Sequence, residues 1–216
     1  MLPKFYPILD TEIAARYGVD PVTVAEQILE GGAKILQFRH KGFFSREVFA
    51  QLERVAKLCG EAHARFVVND RADLAALTGA ALHLGQDDLP PSAARKVVGA
   101  ATLIGFSTHN EHQLREAAAE PADYLALGPI FGTASKHNPD PVVGIDELRR
   151  LRGLSDRPLV AIGGITRANA QAVLSAGADA VAIIGDLFEG NPLAEAGNLR
   201  AHTQEWVALT RDTQNV

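Results

Sequence analysis

The chain has one cysteine, Cys59, in 216 residues, so no internal disulfide can form. Cys59 continues the helical stripe Val48, Leu52, Val55 and reads as a core thiol rather than a nucleophile. No apolar run approaches the roughly 18 residues that argue for a membrane span. The first residues also lack the long apolar core of a signal peptide, and the cytoplasm is the expected location. Basic runs are missing too, and the formal charge is −5. Both features speak against a nucleic-acid partner, while leaving room for a basic pocket. There is no linker, low-complexity stretch or charge block, so residues 1–216 are expected to form one domain. Apolar residues at 47% and charged residues at 22% are ordinary for a globular chain long enough to bury a substantial core.

What is present is a recurring unit. Short apolar runs read as strands at Lys4–Asp10, Ile35–Arg39, Arg65–Val68, Ala81–Leu84, Thr102–Phe106, Tyr124–Leu127, Leu159–Ile162 and Ala180–Ile184. Each is followed by a helical stretch. Asp20-Pro21 and Ser45 are helix starts, and Gly31-Gly32, Gly79 and Gly177 are stops. The runs are continuous rather than alternating, as expected of strands buried on both faces. Eight βα units in this length predict a closed (β/α)₈ barrel. An open doubly wound sheet is the alternative. It would need edge strands, and none of these runs is polar or charged enough to be one.

The polar residues collect just after strands: Gln37, Arg39 and Lys41; Asn69 and Asp70; Asp87 and Asp88; Ser107 and His109; Thr133, Ser135 and Lys136; Gly163 and Gly164; Gly185. In a barrel these segments meet at one mouth. The stretch from Asp123 to Lys136 shows the pattern most fully. A buried strand breaks at Gly128-Pro129 into a loop with two hydroxyls and one cation. Three cations and the carboxylates of Asp70 and Asp88 would share the mouth, a costly arrangement unless they coordinate something. Mg²⁺ bound by one or two carboxylates and phosphate oxygens suits that mixture, with Arg and Lys on the phosphates. Asp87 reads instead as a helix-capping or surface residue. Gly163, Gly164 and Gly185 let backbone N–H groups approach a second phosphate, which barrels bind after strands seven and eight.

Six motifs occur in order: Gln37-Phe38-Arg39-His40-Lys41, Asn69-Asp70-Arg71-Ala72-Asp73, His83-Leu84-Gly85-Gln86-Asp87-Asp88-Leu89-Pro90, Gly105-Phe106-Ser107-Thr108-His109, the 123–136 stretch and Ala161-Ile162-Gly163-Gly164-Ile165. With this order and spacing, residues 4 to 190 resemble the thiamine phosphate synthase family. The resemblance implies condensation of 4-amino-2-methyl-5-hydroxymethylpyrimidine diphosphate with a thiazole phosphate, or its carboxylated form. The products are thiamine phosphate and pyrophosphate, and the C–N bond forms by a dissociative, carbocation-like step. It also implies a site. Gln37, Phe38, Arg39, His40, Lys41, Asn69, Ser107 and Lys136 would lie with the pyrimidine diphosphate. Thr133, Ala134, Ser135, Gly164, Ile184 and Gly185 would lie with the thiazole phosphate, and Asp70 and Asp88 would hold Mg²⁺. Arg39, Lys41, Ser107 and Lys136 are the residues expected to act on the reacting groups.

The chain departs from the family at four positions. His40 stands where an acidic residue is usual, Gly132 replaces a Pro, Ser135 a Thr and Gly185 a Ser. Two other readings share the fold. The related thiazole tautomerases carry His where this chain has Pro129 and lack the full metal and diphosphate set. A non-catalytic phosphate-binding barrel is the second. Expected partners are small phosphorylated substrates, with no nucleic acid or membrane, and assembly into a homo-oligomer stays open.

Overall fold

The computed structural model describes residues 2–133, 140–188 and 198–211. Among these, eight parallel strands pair in sequence order, and the last pairs with the first: β1 (Phe5–Asp10), β2 (Ile35–Arg39), β3 (Arg65–Asn69), β4 (Ala81–Leu84), β5 (Ile104–Thr108), β6 (Tyr124–Leu127), β7 (Leu159–Ile162) and β8 (Ala180–Ile183). Tyr6 on β1 lies opposite Ala182 on β8, which closes the barrel and excludes the open sheet.

Helices follow the strands: α1 (Thr11–Arg16), α2 (Pro21–Glu30), α3 (Arg46–Glu61), α4 (Ala72–Thr78), α5 (Pro91–Val98), α6 (Glu111–Ala117), α7 (Ile145–Arg152), α8 (Ala170–Ser175) and α9 (Asn198–Thr210). Their starts are chemically marked. Ser45 Oγ accepts from the Val48 N–H at 3.2 Å and Asn110 Oδ1 from Gln113 at 3.0 Å. Pro21 and Pro91 occupy first-turn positions, where the missing N–H costs nothing. The sequence predicts one helix per strand. The structure adds α1, a single turn after β1, because the Asp10 carboxylate accepts from the Glu12 and Ile13 N–H groups and caps it.

The alternation of side chains along each strand separates two cores. One lies between the sheet and the helices, and includes Leu9, Leu36, Phe38, Val68, Leu125 and Cys59. Burial pushes the Cys59 thiol up to about 12, in keeping with a core residue and not a nucleophile. The other fills the barrel interior with Tyr6, Ile8, Ile35, Val67, Ala81, Tyr124, Ala126, Val160, Ala180 and Ala182. The fifth strand runs from Ile104 to Thr108, two residues later than Thr102–Phe106. Ser107 is therefore an inward-facing strand residue, not part of the following loop.

Candidate active site

The carboxyl ends of the strands carry most of the predicted residues that the structure describes to one mouth. Asp10 and Arg39 are paired across β1 and β2, and their side chains form an ion pair in which Asp10 is buried and Arg39 is 15% exposed. Asp10 thus caps α1 and fixes one face of the guanidinium, leaving its other donors to the mouth. Lys41 reaches from the β2 loop to Asp70 Oδ2 at 2.5 Å. Asp88, after β4, accepts from the Gly85 N–H at 2.7 Å.

Asp70 is the most perturbed carboxyl at this end. It holds φ 66°, one of two non-glycine residues with positive φ among those described. Its pKa is raised to about 6, first by burial and then by the adjacent Asp88 carboxylate, against the lowering effect of Lys41. Two carboxylates placed side by side at a strained backbone position are a candidate cation site. Among the described residues no group of three or more His, Cys, Asp or Glu is arranged to hold a metal. A cation here would have only these two protein carboxylates. That donor set suits Mg²⁺, which keeps waters and takes substrate oxygens, and does not suit a closed zinc site.

Asn69 is buried, and its Nδ2 has no hydrogen-bond partner among the described residues. An orphaned donor beside the carboxylate pair is a ready contact for a substrate oxygen. Ser107 Oγ lies 2.9 Å from His83 Nε2. Asp87 is exposed, as a surface residue should be.

The loops after β6 and β7 are stitched together. The Ile130 N–H donates to Ile162 O at 2.9 Å, and the Phe131 N–H to Gly163 O at 3.0 Å. This brings the segment leading to Thr133 against Gly164. At Gly164 φ is 62°, and a Cβ would lie 2.5 Å from Gly132 O, so only glycine allows this approach. Ile184 packs on the barrel interior, and Gly185 opens a 3₁₀ turn, Gly185–Phe188. Thr133, Gly164, Ile184 and Gly185 thus belong to neighbouring segments after β6, β7 and β8. Ala134, Ser135 and Lys136 lie outside the described residues.

Two predicted contacts sit differently. Phe38 is 1% exposed and packs in the outer core, because Gln37 and Arg39 take the inward positions on β2 and Phe38 must point the other way. Its side chain does not face the mouth. His40 spends both ring nitrogens on its own neighbourhood: Nδ1 is 2.7 Å from Thr11 Oγ1 and Nε2 is 3.2 Å from Phe43 O. It braces the β2 loop. Sequence reasoning passed over Asp10, Tyr6 and Tyr124 as site residues. The signal for each was a polar group at an inward position of an apolar strand.

Cations, an orphaned amide donor, a carboxylate pair and a glycine-lined double loop at one end of a closed barrel define a barrel built for phosphorylated small molecules. Comparison with known proteins narrows this. The family described as thiamine monophosphate synthase matches residues 5–187, and the chain belongs to that family. It is 47% identical over 193 residues to a thiamine-phosphate synthase of Koribacter versatilis, covering 87% of this chain and 90% of that protein. It is 40% identical over 190 residues to a thiamine-phosphate synthase of Methanospirillum hungatei, covering 88% and 92%. Among solved structures, a thiamine phosphate pyrophosphorylase from Pyrococcus furiosus superposes with a TM-score of 0.81 at 31% identity, covering 96% of this chain and 95% of that one. No helix among the described residues is long and apolar enough to cross a membrane.

Proposed function

We propose that this protein is a Mg²⁺-dependent transferase. It joins 4-amino-2-methyl-5-hydroxymethylpyrimidine diphosphate to a thiazole phosphate, or its carboxylated form, giving thiamine phosphate and pyrophosphate in the cytoplasm. The observation that carries the reading is the adjacency of Asp70 and Asp88, with Lys41 on one of them and Arg39 held by Asp10 on the neighbouring strand. Such a grouping suits a diphosphate that must leave. Asp70 and Asp88 would hold the cation, whose part is to neutralise charge on the diphosphate oxygens.

The remaining work falls to the chain's own groups. Arg39 and Lys41 bind the diphosphate, and Lys136 offsets the charge that grows on it as the C–O bond breaks. Asn69 donates to a substrate oxygen through its buried amide nitrogen. Gln37 and Ser107 grip the pyrimidine ring. Thr133, Ser135, Gly164 and Gly185 hold the thiazole phosphate so that its ring nitrogen lies in line with the electron-poor carbon. A dissociative step needs no covalent nucleophile, and the buried, un-ionised Cys59 is consistent with that.

The test is pyrophosphate release from the two substrates together, with Mg²⁺ and with EDTA. Release that needs both substrates and the cation supports the reading. Turnover undiminished in excess EDTA would remove the metal from it, and no release in Mg²⁺ would overturn the whole.

A further inference from the structure

The polar groups inside the barrel form one continuous chain. Gln37 Nε2 donates to Tyr6 Oη at 2.9 Å. Tyr6 Oη lies 2.8 Å from Tyr124 Oη, which is 3.0 Å from His83 Nδ1, and His83 Nε2 is 2.9 Å from Ser107 Oγ. The chain crosses from β2 through β1, β6 and β4 to β5. Both tyrosines are at most 1% exposed, and burial holds the Tyr6 phenol up at about 12 and Tyr124 well above its ordinary value. Both are therefore hydroxyls, each with one proton.

Gly105 is what lets the chain form. It stands between His83 and Tyr124 in register, and a Cβ there would lie 2.0 Å from Tyr124 Cζ. The missing side chain makes room for the tyrosine ring to lean over β5 and stack on the imidazole, with centroids 5.6 Å apart.

We infer that this relay fixes the protonation pattern that the mouth offers to the pyrimidine, and that Tyr6 and Tyr124 are positioning residues for substrate specificity. The polarity follows link by link. An amide nitrogen only donates, so Tyr6 Oη accepts from Gln37; Tyr124 is the acceptor in the relay for the single Tyr6 proton, and we assign that direction to the link. Tyr124 then gives its proton to His83 Nδ1. His83 is held as the tautomer with its proton on Nε2, which donates to Ser107 Oγ. The Ser107 proton is left to donate elsewhere. At the other end, Gln37 commits one of its two amide N–H donors to Tyr6, which anchors the amide and leaves Oε1 as an acceptor. The relay thus presents an acceptor on β2 and a donor on β5. A 4-aminopyrimidine offers the complement, an amino N–H donor beside a ring-nitrogen acceptor. The 4-oxo analogue offers the reverse and would leave polar groups unpaired, the mismatch that binding sites reject most strongly.

This inference rests on the proposed reading of the substrate, so the experiment separates the two. The first arm is long-range ¹H–¹⁵N spectroscopy of the full chain labelled at histidine, with His83 assigned by its loss in His83→Gln. We expect the Nε2–H tautomer in the wild type, and in Tyr6→Phe an Nδ1–H population, because Tyr124 is then free to accept from the ring. A wild-type His83 in the Nδ1–H form overturns the polarity. The second arm is the ratio of kcat/KM for the 4-amino and 4-oxo pyrimidine diphosphates. In Tyr6→Phe this ratio should fall about tenfold or more, as one lost hydrogen bond implies, with KM for the thiazole phosphate unchanged. A merely structural tyrosine would lower both rates together. A folded Tyr6→Phe with the wild-type ratio overturns the specificity role, and Tyr124→Phe provides the same test if Tyr6→Phe does not fold. A wild type that consumes neither pyrimidine refutes the proposed substrate, while the spectrum alone still decides the relay's polarity.

Discussion

Replacing Asp70 by Asn should make the metal-free protein more stable and the enzyme nearly inactive. Asp70 holds φ 66°, a conformation that Asn tolerates as readily as Asp, so the substitution isolates the charge. Burial and Asp88 raise the Asp70 pKa from 3.8 to about 6. A shift of that size corresponds to at most about 3 kcal/mol, and we take about 1–2 kcal/mol because the side chain is 17% exposed and keeps some water. Below pH 4 the carboxyl is protonated in both states and adds no pH dependence. Between about pH 4 and 6 the unfolded chain releases its proton while the folded one retains it, so stability falls across that window and stays lower at pH 7. Asn has no such loss. Lys41 forfeits its partner cheaply, since it is 43% exposed and returns to water. In EDTA at pH 7 the variant should melt about 3–6 °C above the wild type, a gap that closes toward pH 4. Mg²⁺ should raise the wild-type Tm and leave the variant's nearly unmoved, while pyrophosphate release falls roughly 100-fold. A variant that melts lower than the wild type at pH 7, or that keeps the full Mg²⁺-induced rise, would refute the reasoning.

Three further outcomes follow from the same site. Lys136→Ala should lower turnover more than it weakens binding of either substrate, which single-turnover kinetics and separate titrations would check. Gly105→Ala should cost about 1–3 kcal/mol through the clash with the Tyr124 ring, seen as a lower Tm; an unchanged melting curve would contradict the packing. Gly185→Ser should tighten thiazole phosphate binding by up to about 10- to 150-fold if its hydroxyl lands in line. Gly185 begins a 3₁₀ turn, a right-handed conformation open to serine. Calorimetric titration that moved only the diphosphate affinity would relocate the second phosphate.

The barrel was legible because burial on both faces writes short continuous apolar runs, and helix starts such as Pro21 and Ser45 act through local chemistry. The extra turn α1 was not, since Asp10 closes a strand and caps a helix at once, and nothing local separates the two roles. The start of β5 was misplaced by two residues because Thr102 and Leu103 look as strand-like as Ile104. At the mouth, the meeting of Arg39, Lys41, Asn69, Asp70 and Asp88 could be read from their positions just after strands. Phe38 could not be sorted from its neighbours by residue type, only by parity along the strand.

Strand parity also governs the barrel interior. Once Ile35 and Ile8 are assigned to the barrel interior, Gln37 and Tyr6 share that face by the two-residue period of a strand, as do His83 with Ala81 and Tyr124 with Ala126. A barrel of eight strands fills its centre with side chains, so four inward polar groups need partners there, among themselves, on Ser107 or on a ligand. The need for a cross-barrel network therefore follows from sequence parity. Its path does not, because the order Gln37, Tyr6, Tyr124, His83, Ser107 depends on the shear of the strands and on the gap at Gly105, which set which tyrosine reaches which ring.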